Sequence, residues 1–263
     1  MMLPFFKYQG TGNDFVIIDN REAFYNNLSQ EQVAFLCDRR FGIGADGLML
    51  LNNREGYDFE MIYYNSDGNT STMCGNGGRC LVKFANDIGI AKTSYHFLAV
   101  DGPHEASINI DGTVALKMID VDAVRADHGN YILNTGSPHF IHYTGDVMAL
   151  DVFKKGREIR YSKEFEKEGI NVNFVELTEQ PDRILVRTYE RGVEAETLSC
   201  GTGVTAAALV SHHNDNGFNR VEVRTKGGIL SVEYDKQGNQ YTNIWLNGPA
   251  VCVFKGQIEI SEP

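Results

Sequence analysis

Two cysteines in this 263-residue chain stand in the same local setting. Cys74 opens the run CGNGGRC and Cys200 opens CGTGVTA, so each thiol precedes Gly-x-Gly and a helix-like segment. At a helix start the first backbone N–H groups lack intrahelical partners, and the positive end of the dipole favours a thiolate. The glycines allow the backbone to approach a bound anion. Each segment could therefore place an acid–base thiol beside a carboxylate.

The two segments belong to a longer internal similarity. MCGNGGRCLVKFANDIG and SCGTGVTAAALVSHHNDNG both end in Asn-Asp-x-Gly, and a strand-like run precedes each of them. Gly102 and Gly228 lie at the same distance after their respective cysteines, each inside a hairpin-like stretch. This spacing predicts two copies of one strand–helix–hairpin unit. An approximate two-fold between the copies would bring Cys74 and Cys200 to opposite sides of one cleft.

Two opposed thiols suit inversion at an α-carbon. One thiolate removes the α-proton from one face, and the other thiol returns a proton to the opposite face. The backbone amides at both helix starts would stabilise the charge that develops on the carboxylate. We expect this chemistry to need neither a pyridoxal cofactor nor a metal ion.

The bulk composition restricts the partners and the compartment. A net charge of −11 disfavours nucleic acid and an anionic membrane surface as partners. No apolar run approaches the roughly 18 residues of a membrane span, and the first residues do not resemble a secretion signal. Together with an odd, sparse set of cysteines, this favours reduced thiols and a cytoplasmic location.

The remaining cysteines fit neither a metal site nor a disulfide framework. Cys74 and Cys80 are spaced too widely for a paired zinc ligand. Cys37, Cys80 and Cys252 lie on apolar segments and are predicted to be core residues. The run CGTGVT lacks the Gly-Lys-Ser/Thr ending of a phosphate-binding loop.

Patterning predicts more strands than helices. Alternating or β-branched runs predict strands over residues 15–19, 46–51, 58–65, 105–118, 183–190, 220–234 and 242–260. Helical spacing predicts helices over residues 29–40, 75–89 and 201–217, and a short polar helix over 162–169.

These motifs together resemble the diaminopimelate epimerase family, a group of cofactor-independent amino-acid epimerases. The landmarks, in chain order, are FKYQGTGNDFVIID, DRRFGIGADGL, YNSDGNTSTMCGNGGRC, TGSPHF, INVNF and YERGVEAETLSCGTG. The resemblance covers nearly the whole chain.

The family resemblance implies an α/β (α+β) fold of two pseudo-symmetric halves. Each half is a mixed or antiparallel sheet around a central helix, and the active site lies in the cleft between them. The expected first half comprises residues 1–118 and 251–263 and carries Cys74. The expected second half comprises residues 119–250 and carries Cys200.

The resemblance also implies roles for individual residues. Cys74 and Cys200 are the acid–base pair. The helix-start amides that bind the reacting carboxylate belong to Gly75, Asn76, Gly201 and Thr202. The substrate contacts, largely to the non-reacting amino-acid end, come from Asn13, Asn65, Asn171 and Arg191. His139 and Glu190 orient the reacting ammonium and tune the two thiols.

Residue type alone leaves other interpretations open for these positions. Asn13 and Asn65 could be ordinary turn residues, and His139 a satisfied loop histidine. Glu190 and Arg191 could be an exposed charged pair at a strand end.

The chain also departs from the family pattern. Ser137 stands where asparagine is frequent, which shortens a possible substrate contact. Gly47 offers no side chain where some members carry a substrate-contacting glutamine. Ala195 and Ser199 stand where glycine and alanine are common, and Ala195 would be strained at a positive φ.

The function implied by the resemblance is interconversion of LL- and meso-2,6-diaminoheptanedioate, without a cofactor, by a homodimer. A histidine or proline-type racemase would share the two-thiol mechanism with another substrate. A non-catalytic binding module of the same fold and a redox dithiol protein are the alternatives from other classes.

Overall fold

The computed structural model describes residues 1–211, 214 and 216–260. In this part of the chain, helices and strands are interspersed along the sequence. The helices are α1 Gln30–Cys37, α2 Gly75–Asp87, α3 Val152–Arg160 and α4 Gly201–Ser211. The strands are β1 Met2–Gly10, β2 Asn13–Asp19, β3 Gly47–Asn52, β4 Glu60–Asn65, β5 Ser94–Ala99, β6 Gly102–Ile108, β7 Val114–Lys117, β8 Val124–Asp127, β9 Asn130–Asn134, β10 Pro138–Tyr143, β11 Asn171–Leu177, β12 Arg183–Glu190, β13 Ala195–Thr197, β14 Asn216–Thr225, β15 Gly228–Gln237, β16 Gln240–Gly248 and β17 Val251–Glu259. Within the described residues, no helix has the length and apolarity needed to cross a membrane.

The chain divides into two compact units. The first unit comprises Met1–Leu116 and the described residues from Pro249 onward, and the second comprises Lys117–Gly248. The division expected from the family resemblance falls after residues 118 and 250. The two cysteines of the repeat lie in different units, Cys74 in the first and Cys200 in the second.

The two units have the same strand order. In the first unit the order is β17–β1–β2–β3–β4–β5–β6–β7, and the pairs β2/β3 and β4/β5 are parallel. In the second unit the order is β8–β9–β10–β11–β12–β14–β15–β16, and the corresponding pairs β10/β11 and β12/β14 are parallel. All other neighbours in both series are antiparallel. The predicted internal repeat is therefore a repeat of sheet topology.

Each parallel pair is joined through a helix, as a crossover connection requires. Helices α1 and α3 lie in the connections β2–β3 and β10–β11, and α2 and α4 in the connections β4–β5 and β12–β14. After each of the helices α2 and α4 comes a β-hairpin, β5–β6 and β14–β15. The turn of each hairpin ends at a glycine with positive φ, Gly102 at 122° and Gly228 at 146°.

A central helix packs on the sheet of each unit. Helix α2 contacts β1, β2, β3 and β6, and α4 contacts strands from β9 to β16. Nine of the α4 residues are buried, which fits its apolar composition on every side, since a helix that is apolar all round belongs in a core. The expected architecture of two similar halves, each built around one helix, is confirmed.

One predicted helix is absent from the described residues at its predicted place, and one helix was not predicted. Residues 162–169 form turns, because the hydrogen bond from the Glu166 N–H to the Ser162 carbonyl closes one turn in a polar stretch with no apolar stripe to bury. Helix α3 lies directly before this stretch and has no counterpart among the predictions. Its sequence signal is Asp151, whose side chain accepts the Lys154 N–H at the helix start.

Three other helix predictions run too long. Helix α2 ends at Asp87 rather than at residue 89, with Ile88 as its C-cap. Helix α1 ends at Cys37 rather than at residue 40, because Asp38 adopts an extended backbone. Helix α4 is described to Ser211, and the predicted helix runs too far because Asn216 and Gly217 already belong to β14. His212, His213 and Asp215 lie outside the described residues.

Candidate active site

Cys74 lies at the start of α2, as predicted. Its backbone is extended (φ −101°, ψ 131°), and its carbonyl accepts the Gly78 N–H at 2.7 Å to open the helix. The side chain makes no capping hydrogen bond. The Cys74 Sγ atom lies 3.6 Å from Asn13 Oδ1 instead. The thiol is half-buried and accompanied by the first-turn amides of α2.

Two amides next to Cys74 are held in fixed orientations. Asn76 Nδ2 donates to Asn13 Oδ1 at 3.3 Å, and Asn76 Oδ1 accepts from Arg79 Nη2 at 2.9 Å. Asn13 Nδ2 donates to Asp46 Oδ2 at 2.6 Å. A guanidinium can only donate and a carboxylate can only accept, so these two charged ends determine which way both amides face. As a result, Asn13 presents its oxygen to the Cys74 thiol.

Arg79 and Asp46 belong to this network but are not among the site residues predicted from the sequence. Arg79 is fully buried, and its hydrogen-bond acceptors are neutral oxygens of Asn76, Thr11 and Gly75. Burial lowers the pKa of the Arg79 guanidinium from its ordinary value. The available signal was a charged residue on the apolar, inward face of a predicted helix, where charges are rare.

Asn65 and Gly47 are paired residues at one end of the antiparallel strand pair β3/β4 in the first unit. Asn65 is exposed on the last position of β4 and pairs with Gly47 on β3. A Cβ atom on Gly47 would lie 2.5 Å from Cε2 of Tyr63. The Tyr63 ring therefore fills the space that a side chain at position 47 would need, which accounts for glycine there.

Cys200 repeats the setting of Cys74 in the second unit. It directly precedes α4, and its carbonyl accepts the Val204 N–H at 2.8 Å. Its Sγ atom lies 3.5 Å from the Thr202 hydroxyl, and the residue is buried. Thr135 donates to the Thr202 carbonyl at 2.8 Å and so fastens the TGSPHF loop to the first turn of α4.

Ser137, Asn171 and Arg191 form one polar cluster. Asn171 Nδ2 donates to the Ser137 hydroxyl at 2.9 Å and to the Pro138 carbonyl at 3.1 Å. Asn171 Oδ1 accepts the Arg191 backbone N–H at 2.9 Å, and Arg191 Nη2 donates to Ser137 at 3.3 Å. Asn171 thus uses both amide hydrogens within the protein, and it holds the other two members of the cluster.

His139 lies on β10 beside this cluster and is fully buried. Asn173 Nδ2 is 3.0 Å from its Nδ1 atom. Burial first, and the Arg191 charge second, lower the pKa of His139 to about 3, so the ring is neutral. Glu190 ends β12 next to Arg191 and is half-buried.

Ala195 shows none of the strain that a positive φ would cause. It begins strand β13 opposite Glu190, and the positive φ values of this turn belong to Gly192 at 90° and Glu194 at 55°. An alanine is therefore accommodated at position 195.

The core prediction for the other cysteines is right for two of them. Cys37 and Cys80 are buried, and burial raises the pKa of each thiol to about 12. Cys252 is exposed on β17, because this strand exposes consecutive apolar residues that resemble a buried run in sequence. All five cysteines lie within the described residues, and none of them forms a disulfide. In the same described part, no group of three or more His, Cys, Asp or Glu side chains is arranged to hold a metal ion.

Comparison with known proteins places this arrangement in a family. The profile of the family described as "Diaminopimelate epimerase" matches residues 5–124 and 131–253. A diaminopimelate epimerase from Flavobacterium psychrophilum is 48% identical over 97% of this chain and 100% of the relative. One from Chlorobaculum tepidum is 45% identical over 95% of this chain and 99% of the relative.

More distant proteins share the fold. A Bacillus anthracis phenazine biosynthesis protein of the PhzF family superposes with a TM-score of 0.72 at 15% identity, covering 99% of this chain and 100% of that one. A hydroxyproline epimerase from Agrobacterium vitis superposes with a TM-score of 0.66 at 14% identity, covering 100% of this chain and 94% of that one. The full-length sequence similarity is more specific than the shared fold, and the chain belongs to the diaminopimelate epimerase family.

Proposed function

We propose that this protein interconverts LL- and meso-2,6-diaminoheptanedioate, without a cofactor, as a diaminopimelate epimerase. The observation that carries the proposal is 48% identity to a relative of that name across its whole length. The two Cys-Gly-x-Gly helix starts, one in each unit, support it chemically.

In the proposed reaction the two thiols alternate roles. The thiolate of one cysteine, Cys74 or Cys200, removes the α-proton and becomes a thiol. The other cysteine gives its proton to the opposite face of the same carbon and becomes a thiolate. Proton number is conserved, and the reverse reaction uses the two groups in exchanged roles. The mechanism requires that both sulfur atoms reach one α-carbon.

The helix-start amides have a defined task in this reaction. As the α-proton leaves, negative charge develops on the carboxylate of the reacting carbon. The backbone N–H groups of Gly75, Asn76, Gly201 and Thr202 would stabilise it, as donors that are oriented before the reaction begins. Their position in the first turns of α2 and α4 supports this role.

The remaining polar residues are proposed to bind the substrate. Arg191 suits the carboxylate of the non-reacting end, because a guanidinium can clamp a carboxylate with two hydrogen bonds. Its contact with Ser137 and Asn171 supports a single recognition cluster in the second unit. Asn13 and Asn65 would contribute contacts from the first unit, and Glu190 would accept hydrogen bonds from the reacting ammonium.

The proposed setting is a cytoplasmic homodimer that acts on a small amino-acid substrate, with no nucleic acid or membrane partner. A reducing compartment would preserve the two thiols that the mechanism needs. Oxidation to a Cys74–Cys200 disulfide would remove both acid–base groups and stop turnover.

Proton NMR in heavy water tests the proposed function directly. Reduced protein should exchange the α-proton of LL-diaminopimelate for deuterium and form the meso isomer without added cofactor. Cys74→Ala and Cys200→Ala should each lower epimerisation by at least about 10³-fold, since each removes an acid–base group. Cys252→Ala is the matched control and should retain the wild-type rate, because this thiol is exposed on β17.

The outcomes separate the competing functions. Exchange with histidine or proline, and none with diaminopimelate, would keep the two-thiol mechanism and change the substrate. No exchange with any of these amino acids would favour the binding module. Full turnover by an oxidised protein without reductant would contradict the two-thiol mechanism.

A further inference from the structure

His139 is a buried, neutral histidine packed against the first turn of α4. A Cβ atom on Gly203 would lie 3.4 Å from His139 Cε1 and 2.3 Å from Asn173 Oδ1. Only a glycine lets the helix start approach these two side chains so closely. His139 and Asn173 therefore form the surface on which the turn after Cys200 rests.

The orientation of the Asn173 amide follows from its neighbours. The Phe140 carbonyl, which can only accept, lies 3.3 Å from Asn173 Nδ2. Asn173 Oδ1 accepts the Thr188 hydroxyl at 2.9 Å on the other side. Nitrogen must therefore face the carbonyl, and the same NH₂ group faces His139 Nδ1 at 3.0 Å.

This orientation determines the tautomer of His139. An amide NH₂ only donates, so Nδ1 must accept and cannot carry the proton of the neutral ring. The proton is then on Nε2. Among the described residues, His139 Nε2 is buried and has no hydrogen-bond partner. Buried donors in proteins nearly always have a partner, so this atom indicates a group that binds beside it.

We propose that Asn173 is a positioning residue that holds His139 as the Nε2–H tautomer, so that His139 donates a hydrogen bond to an anion at the start of α4. This inference rests on the proposed function, which supplies two such anions: the substrate carboxylate and the Cys200 thiolate. An Nε2–H group cannot accept from an ammonium. In this arrangement Glu190, and not His139, accepts hydrogen bonds from the reacting ammonium.

The tautomer can be measured without substrate. In protein labelled with ¹⁵N-histidine, two-bond ¹H–¹⁵N correlation spectra distinguish a protonated ring nitrogen from one with a lone pair. His139→Gln identifies the signals of this residue among the seven histidines. We expect a lone pair on Nδ1 and a proton on Nε2. A protonated Nδ1 in the wild-type protein would overturn the proposal, whatever the activity.

Asn173→Asp tests whether the tautomer matters. A carboxylate only accepts, so it should draw the proton to Nδ1 and leave a lone pair on Nε2. We expect kcat to fall about 10²-fold, the scale for loss of one oriented donor to a developing anion. A variant with the inverted tautomer, a native circular dichroism spectrum and the wild-type rate would overturn the proposal.

Asn130→Asp is the matched control. Asn130 Oδ1 lies 2.7 Å from Nδ1 of His142, which is on the same strand as His139. The substitution introduces the same charge beside a histidine that the mechanism does not use, at a position where an amide oxygen already faces the ring nitrogen. It should leave both the His139 spectrum and kcat unchanged.

His139→Phe distinguishes the two anions. If the acceptor is the Cys200 thiolate, the pH midpoint for alkylation of Cys200 by iodoacetamide should rise in the substrate-free variant. If it is the substrate carboxylate, the midpoint should stay and substrate affinity should fall. If neither changes, His139 is no donor to either anion and the proposal fails. Epimerisation by the wild-type protein, measured separately, decides the proposed function itself.

Discussion

A buried guanidinium beside Cys74 is the least expected residue of the first unit. Arg79 is fully buried, and in the described part of the chain it forms no ion pair with a carboxylate. Buried charges are costly unless they are paired, so Arg79 must serve a purpose other than stability. Its hydrogen bond to Asn76 fixes that amide, and through it the oxygen of Asn13 that faces the thiol.

Arg79→Met should therefore separate activity from stability. The apolar side chain is of similar length, and replacing a buried charge by an apolar group is often neutral for folding. Without the donor, Asn76 can turn, and Asn13 loses its fixed orientation toward Cys74. We expect kcat/KM for diaminopimelate to fall about 10-fold or more, on the scale of one lost hydrogen bond to a charged group.

The matched control is Lys83→Met, which removes the partly exposed cation one turn further along α2. It should leave kcat/KM within about 2-fold of the wild-type value, since surface ion pairs contribute little. Equal activity of Arg79→Met and the wild-type enzyme would show that the amide orientation does not depend on Arg79.

At the scale of elements, an ion-pair cluster connects the start of β2 to the loop before β3. Asp14 lies 2.7 Å from both Lys7 and Arg39, and Arg39 also pairs with Asp46. Asp46 in turn accepts from Asn13. This cluster therefore holds the strand end from which Asn13 reaches Cys74.

The cluster predicts a pH dependence of stability. Burial raises the pKa of Asp14, but hydrogen bonds from Arg39 and Lys7 outweigh it and lower the pKa to about 2. A carboxyl whose pKa is lower in the folded state stabilises the fold above its unfolded pKa of about 3.9. That contribution, about 1–2 kcal/mol, is lost as the pH falls from about 4 to 2.

Urea unfolding of the wild-type protein and Asp14→Asn across this pH range measures the effect. The wild-type free energy of unfolding should exceed that of the variant at pH 7, and the gap should narrow toward pH 2. Asp122→Asn, at an exposed position, should show no such narrowing. A gap that is constant with pH would mean that the Asp14 charge does not contribute to stability.

The sequence predicted the elements that carry the cysteines because local signals determine them. Helices α2 and α4 start directly after Cys74 and Cys200, as the Cys-Gly-x-Gly runs indicate, and β12 has the predicted bounds. Helix α3 and strands β8 and β9 were missed because they are short or half-exposed, and their apolar periodicity is weak. Strands β1, β5, β10, β11 and β13 also lie outside the predicted runs, although β10 and β11 are largely buried. Their existence follows from the repeat of topology rather than from their own residues.

The polar networks around the cysteines could not be predicted. Asn13 and Asn76 are 63 positions apart and His139 and Asn173 are 34 apart, so only the folded sheet brings each pair together. Residue types indicated which side chains could bind an amino acid. They could not indicate that Asn171 donates both amide hydrogens to Ser137 and Pro138, or that the Arg79 side chain is fully buried.

At the scale of the whole molecule, the fold alone does not determine the substrate. A protein of the PhzF family and a hydroxyproline epimerase superpose on this chain at 15% and 14% identity. One fold therefore accompanies different named activities, and function depends on the side chains that line the site. The substrate assignment rests on full-length similarity to diaminopimelate epimerases and on the residues of the two cysteine-bearing helix starts.

Three apolar residues of β17 are exposed and could contribute to the interface of the proposed homodimer. Val251, Val253 and Phe254 are each about half exposed, with exposed fractions of 47%, 54% and 47%. Large exposed apolar patches commonly mark interaction sites, and the centres of homodimer interfaces are apolar. The family resemblance implies a second copy of this chain as a partner, and we propose these exposed residues of β17 as its contact surface.

Val253→Asp should convert the proposed dimer to monomer, because it would bury an unpaired carboxylate in an apolar interface at a cost of several kcal/mol. Sedimentation equilibrium should show the dimer dissociation constant rising by at least about 10²-fold, with an unchanged circular dichroism spectrum. Ile229→Asp is the control: it places the same charge at an apolar residue of the second unit with 50% exposure. It should leave the dimer intact. A wild-type protein that sediments as a monomer at micromolar concentration would contradict the homodimer, and dissociation by Ile229→Asp alone would move the interface from β17 to β15.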